Sequence, residues 1–98
     1  MKEILALRKK IDDIDERILL LLKKRAEVSR KIGSIKKKNE LPIRDRTREN
    51  RLYAHLRYKA ERLGLSADLV ETLYRGIVAM CIRVQENSVE TQDHVSED

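Results

Sequence analysis

Apolar residues step through the first third of the chain at alternating intervals of three and four. They fall at Ile4, Leu7, Ile11, Ile14, Ile18 and Leu21, then at Val28, Ile32 and Ile35. That spacing is the mark of a helix with a coiled-coil-like seam. The stretch from about Glu3 to Lys38 holds no Pro and one Gly, Gly33, so a single uninterrupted helix is predicted over it. Its back carries Lys9, Lys10, Asp13, Glu16, Lys23, Lys24, Glu27 and Lys31. The run Ile18 to Leu22 is apolar around the whole circumference, and a helix greasy on all sides is expected to be buried on all sides. Another helix is expected to cross there. At 1.5 Å per residue the stretch spans roughly 50 Å, against roughly 26 Å for a compact globule of this chain length. A second copy of the chain is therefore expected to complete the fold.

The remaining elements are shorter. Lys36, Lys37 and Lys38 suit the negative end of the first helix's macrodipole, and Pro42 pushes Leu41 out of helical geometry. Asp45 is a good N-cap for a second helix whose stripe runs Arg48, Glu49, Leu52, Leu56, Ala60 and Leu63, with Gly64 as its stop. Ser66 caps a third helix with the stripe Leu69, Val70, Leu73, Ile77, Met80, Cys81 and Val84. Past Gln85 the periodicity ends. The reading is an all-α protein with one long and two shorter helices. Residues 1–87 form the helical domain, and residues 88–98 an acidic tail expected to be disordered.

Composition narrows the function classes. Charged residues make up 40% of the chain and aromatics 3%, a profile of long salt-bridged helices. The start resembles no signal peptide, and no apolar run is long enough to span a bilayer. The single Cys81 excludes an intrachain disulfide and fits a reducing, cytoplasmic setting. The net charge of +5 attracts anions without choosing among them. Three Tyr with no Phe or Trp leave little for stacking on single-stranded nucleic acid.

Several polar residues interrupt the apolar stripes. Arg25 occupies the seam position between Leu21 and Val28, where a guanidinium is costly unless something anionic meets it. Lys36 returns to nearly the same face 11 residues later. Asp45, Arg48 and Glu49 share a face at i, i+3, i+4 spacing, and Gln85 follows Ile77 and Cys81 at i+4 steps. If the helices pack together, these groups could line one pocket for a small anion bearing a hydroxyl or ether oxygen. Arg8 lies about 25 Å from Arg25 along the helix, so it reaches such a pocket only from a second, antiparallel chain. The crossing point would then fall near residue 18, inside the apolar collar. Each residue also has a plainer reading. Arg25 could pair with a buried Glu, Lys36 could be solvated, and Asp45 could be only a cap. Arg48 and Glu49 could be a surface pair of little worth, and Gln85 a helix-end polar residue. His55 and His94 lack ligand-spaced partners, so no metal is expected. Cys81 reads as a small core residue with no His to activate it.

Over about Ile4 to Gln85 the chain resembles the all-helical class of chorismate mutases. The resemblance is carried by Leu7-Arg8 with Ile11 and Asp15, then Arg25, Gly33, Lys36, Pro42-Ile43-Arg44-Asp45, Arg48-Glu49 and Gln85. It implies an intertwined homodimer that converts chorismate to prephenate without any cofactor, each active site completed by Arg8 of the other copy. It implies that Arg8 and Arg25 clamp substrate carboxylates and that Lys36 and Gln85 meet the ether oxygen. Glu49, with the backbone near Asp45, would hold the ring hydroxyl, and Arg48 would line the pocket. One departure stands at Cys81, where members of the family often carry Ser. A thiol is a poor donor, so one carboxylate contact there is expected to be weaker or supplied by backbone. Two rivals remain. One is a lyase of the same fold that releases pyruvate from isochorismate. The other is a non-catalytic basic dimer that grips nucleic acid through Lys36-Lys37-Lys38, Arg44, Arg46, Arg48 and Arg51.

Overall fold

The computed structural model describes residues 1–89. They form three helices, α1 (Lys2–Lys38), α2 (Arg46–Arg62) and α3 (Ala67–Glu86), with no strand among the described residues. The all-α architecture read from the periodicity is the one observed. The expected tail lies largely outside the described residues; of it only Ser88 and Val89 are seen, and Ser88 is buried.

Each helix boundary has a local cause. At the end of α1, Glu40 takes a left-handed φ of 56°, and the Leu41 N–H returns to the Lys36 carbonyl at 2.8 Å. This is a Schellman turn, so the helix has stopped before Pro42 acts. At the start of α2, the Asp45 side chain accepts from the Arg48 N–H at 3.0 Å, as an N-cap should. Gly64, at φ 74°, closes α2 by a second Schellman turn, with the Leu65 N–H on the Ala60 carbonyl at 2.8 Å. Ser66 Oγ accepts from the Leu69 N–H at 3.2 Å and opens α3.

α3 is the element that touches both others. Against α2 it buries Tyr53, Ala60 and Ala67, with Arg75 stacked 4.3 Å from the Tyr53 ring centroid. Arg57 reaches across from α2 to Asp68 and Glu71 at 2.8 and 3.0 Å. Against α1 the contact is different from the one the stripe suggests. The face of α1 that meets α3 is Arg25, Ser29, Gly33 and Lys36, with Ser29 and Gly33 buried. Small residues here let the two backbones approach closely.

The apolar seam of α1 is left uncovered by its own chain. Each of its nine apolar positions from Ile4 to Ile35 is at least 43% exposed, and Leu19, Leu20 and Leu21 in the collar exceed 60%. No large side chain among the described residues is fully buried. The fold is correspondingly elongated, 57 × 34 × 18 Å with a radius of gyration of 17.7 Å, where a compact domain of about 100 residues has about 13 Å. No described helix is long and apolar enough to cross a membrane, and no metal-competent cluster of His, Cys, Asp and Glu occurs among the described residues.

Candidate active site

A hollow of about 420 Å³, open on one side to solvent, lies between the C-terminal half of α1, the start of α2 and the end of α3. That is within the ordinary size range of small-molecule sites. Arg25, Lys36, Asp45, Arg48, Glu49, Cys81 and Gln85 all line it. Seven of the eight residues singled out in the sequence are therefore brought together. Arg8 is not among them: it is exposed on the free N-terminal half of α1, 17 residues before Arg25 and about 25 Å away.

Lys36 stands at the hinge of the site. Its ammonium donates to the Ile43 carbonyl at 2.6 Å and to Gln85 Oε1 at 3.1 Å. The first bond exists because the turn at Glu40 folds the connection back over the end of α1. An ammonium carries three donors, so one N–H is left for an acceptor inside the hollow. Because the ammonium can only donate, it fixes the Gln85 oxygen toward itself. The amide N–H groups of Gln85 then remain available to another acceptor.

Arg25 is half-buried and donates from Nη1 to Cys81 Sγ at 2.9 Å. The buried carboxylate that would make Arg25 a structural ion pair is not found among the described residues. Its partner is a neutral sulfur, a weak acceptor, so the guanidinium charge stays uncompensated. Cys81, 3% exposed, thus acts here as an acceptor, where the sequence had raised only its poverty as a donor.

The opposite wall carries the carboxylates. Asp45 accepts from the Arg48 N–H through Oδ1 as the α2 cap and also lines the hollow. Glu49 is gripped by Arg44, with Nε to Oε2 at 3.1 Å and Nη2 to Oε1 at 2.5 Å. These bonds hold the Glu49 carboxyl below its ordinary range and raise Arg44 above its own. The Glu49 side chain is 13% exposed, so the ionised carboxylate faces the hollow with lone pairs to spare. Arg44 was quoted in the family motif but not assigned to the site. Its role depends on a fold-back across the α2 cap, which no period reports. Two cations on the α1 side, Arg25 and Lys36, face an ionised, clamped carboxylate with Arg48 beside it on α2, an arrangement that suits an anionic molecule also carrying a hydroxyl group.

The family described as chorismate mutase type II matches residues 7–86 of the chain. A bifunctional chorismate mutase/prephenate dehydratase of Aquifex aeolicus (strain VF5) is 39% identical over 88 residues, 87% of this chain and 24% of that protein. A T-protein of Enterobacter agglomerans is 40% identical over 76 residues, 78% of this chain and 20% of that protein. The chain thus spans about a quarter or less of the length of these curated relatives. Among solved structures, a conserved hypothetical protein from Pyrococcus furiosus superposes with a TM-score of 0.67 at 34% identity, covering 87% of this chain and 97% of that one.

Proposed function

The chain belongs to the chorismate mutase type II family, and on that premise we propose that it rearranges chorismate to prephenate. The pathway implied is the branch toward phenylalanine and tyrosine, in keeping with the dehydratase named in its Aquifex relative. The observation that carries the reading is the pairing of Lys36 with Gln85 at 3.1 Å in a hollow also lined by Arg25 and Glu49.

The reaction is a unimolecular pericyclic shift, so nothing in it calls for a nucleophile, a metal or an organic cofactor. It needs the enolpyruvyl arm held over the ring in a near-attack geometry. Arg25 offers a guanidinium fork to one substrate carboxylate. Arg8 of a second copy offers another. The ionised Glu49 accepts from the ring hydroxyl, with Arg44 holding it in place, and Arg48 lines the wall beside it. As the C–O bond lengthens ahead of C–C formation, the ether oxygen gains negative charge. The remaining Lys36 N–H and the Gln85 amide N–H meet that charge where it develops, and so bind the transition state more tightly than the ground state.

The active form in this reading is a homodimer of antiparallel α1 helices, in the cytoplasm, where Cys81 stays a thiol. Support comes from the uncovered seam. Nine apolar positions over the length of α1 are exposed in one chain, a surface a stable monomer rarely leaves to water. Incubation with chorismate and identification of the product tests the activity. Prephenate without free pyruvate supports the mutase, and pyruvate release would move the assignment to the lyase. A salt-dependent affinity for DNA with no turnover would replace both.

A further inference from the structure

We propose that Gly33, Lys37 and Ser88 form a latch that holds the C-terminal end of α3 against α1 and thereby sets Gln85 at its distance from Lys36. None of the three touches the hollow's contents in this scheme; they are positioning residues acting through Gln85. The activity arm of the test rests on the mutase reading, whereas the latch itself does not.

Three observations converge on this one helix end. A Cβ added to Gly33 would sit 2.6 Å from Ser88 Oγ, 2.7 Å from Gln85 Cα and 2.9 Å from Gln85 Cβ. Two of those atoms belong to the Gln85 backbone and its first carbon, which cannot swing aside. Any residue but glycine therefore pushes α3 away from α1 at the very residue that meets Lys36. Ser88, 6% exposed, donates from Oγ to the Gln85 carbonyl at 2.6 Å. Lys37 donates to the carbonyls of Glu86 and Ser88, each at 2.5 Å.

The physical cause is the helix end. The last carbonyls of α3 have no intrahelical donor and carry the negative pole of its dipole. An ammonium from a neighbouring helix satisfies two acceptors and that pole together. Successive residues on α1 point about 100° apart, so Lys36 enters the hollow while Lys37 reaches the rim. The lysine run that reads as a complement to α1's own dipole is thus divided between a site and a clasp on another helix.

The test uses the full chain labelled with nitrogen-15, with the Gln85 side-chain amide signals identified by their loss in Gln85→Ala. In Ser88→Ala, Lys37→Met and Gly33→Ala, those signals are expected to move toward the positions of a free amide. Signals from the first five turns of α1 are expected to stay in place. With chorismate, kcat is expected to fall roughly tenfold with KM changed less than about twofold, and Gly33→Ala is expected to add little to Gln85→Ala. Should Gly33→Ala fail to fold, Ser88→Ala, which removes one oxygen, decides. Unmoved Gln85 signals in folded variants overturn the latch. So does a loss of kcat that adds fully to that of Gln85→Ala. If the unsubstituted chain leaves chorismate unchanged, the mutase reading fails while the amide signals still decide the latch.

Discussion

Arg25 Nη1 lies 2.9 Å from the sulfur of Cys81, joining positions 56 residues apart across the α1–α3 interface. The contact orients the guanidinium without neutralising it. Replacing Arg25 by Ala is therefore expected to lower kcat/KM by roughly a thousandfold, about 4 kcal/mol of transition-state binding. The melting temperature is expected to hold or rise, because a half-buried charge without a carboxylate partner disappears. Chorismate decay and thermal circular dichroism measure the two. Cys81→Ser, which keeps an acceptor at the same place, should stay within a few-fold of the parent. Full turnover by Arg25→Ala would count against the carboxylate clamp.

Arg8→Ala is expected to be as inactive as Arg25→Ala with its helicity intact. Mixing the two dead variants under conditions of subunit exchange should restore up to about a quarter of the parental activity, since a mixed dimer carries one site with both arginines. Absence of any recovery after exchange has been verified by mass, with one of the two variants labelled with nitrogen-15 to tell them apart, would remove the shared site.

The collar supplies a test of assembly that does not depend on catalysis. Ile18 is 48% exposed in the single chain, and the proposed antiparallel pairing would place it near the dyad. Burying such a side chain contributes about 1.5–3 kcal/mol, and each substitution enters a dimer twice. Ile18→Glu is expected to shift the sedimentation coefficient to that of a monomer and to reduce helicity. A parent that sediments as a monomer at all concentrations would contradict the homodimer outright.

In the proposed mechanism Lys36→Ala takes the cation from the ether oxygen, and it also removes the donor that fixes the Gln85 amide. A fall in kcat of roughly a hundredfold or more is expected, with a smaller rise in KM. The reverse split would assign Lys36 to ground-state binding.

Glu49 gives the pH dependence. Its carboxyl is held below the ordinary range, first by the hydrogen bonds from Arg44. A lowered folded value favours the charged form, so its contribution to stability is present above the ordinary carboxylate range. It is lost as pH falls through the depressed folded value. In the parent, KM should therefore stay flat from neutrality down into that range. Arg44→Ala lets Glu49 return toward its ordinary value, and the acid limb of the KM profile should move to higher pH. An unchanged limb would mean that Glu49 does not hold the substrate in its ionised form.

Much of this molecule was legible along the chain, because the signals involved are local. The three-and-four spacing predicted α1 almost to the residue. Asp45 and Ser66 as caps and Gly64 as a stop follow from hydrogen bonds made within a few positions. The out-of-place polarity of Arg25, Lys36 and Gln85 marked them as candidates that line one hollow, and the family resemblance implied a common purpose for them. Tertiary structure alone decided which face of α1 meets α3. It is the small face of Ser29 and Gly33, and the greasy seam is left free. It also decided that Arg25 would rest on Cys81, that Arg44 would fold onto Glu49, and that Lys36 and Lys37 would part company. Periodicity reports the direction of a side chain around its own axis. These pairings depend on how near two axes come, and that is set by the volume of whatever stands between them, at Gly33 a single hydrogen.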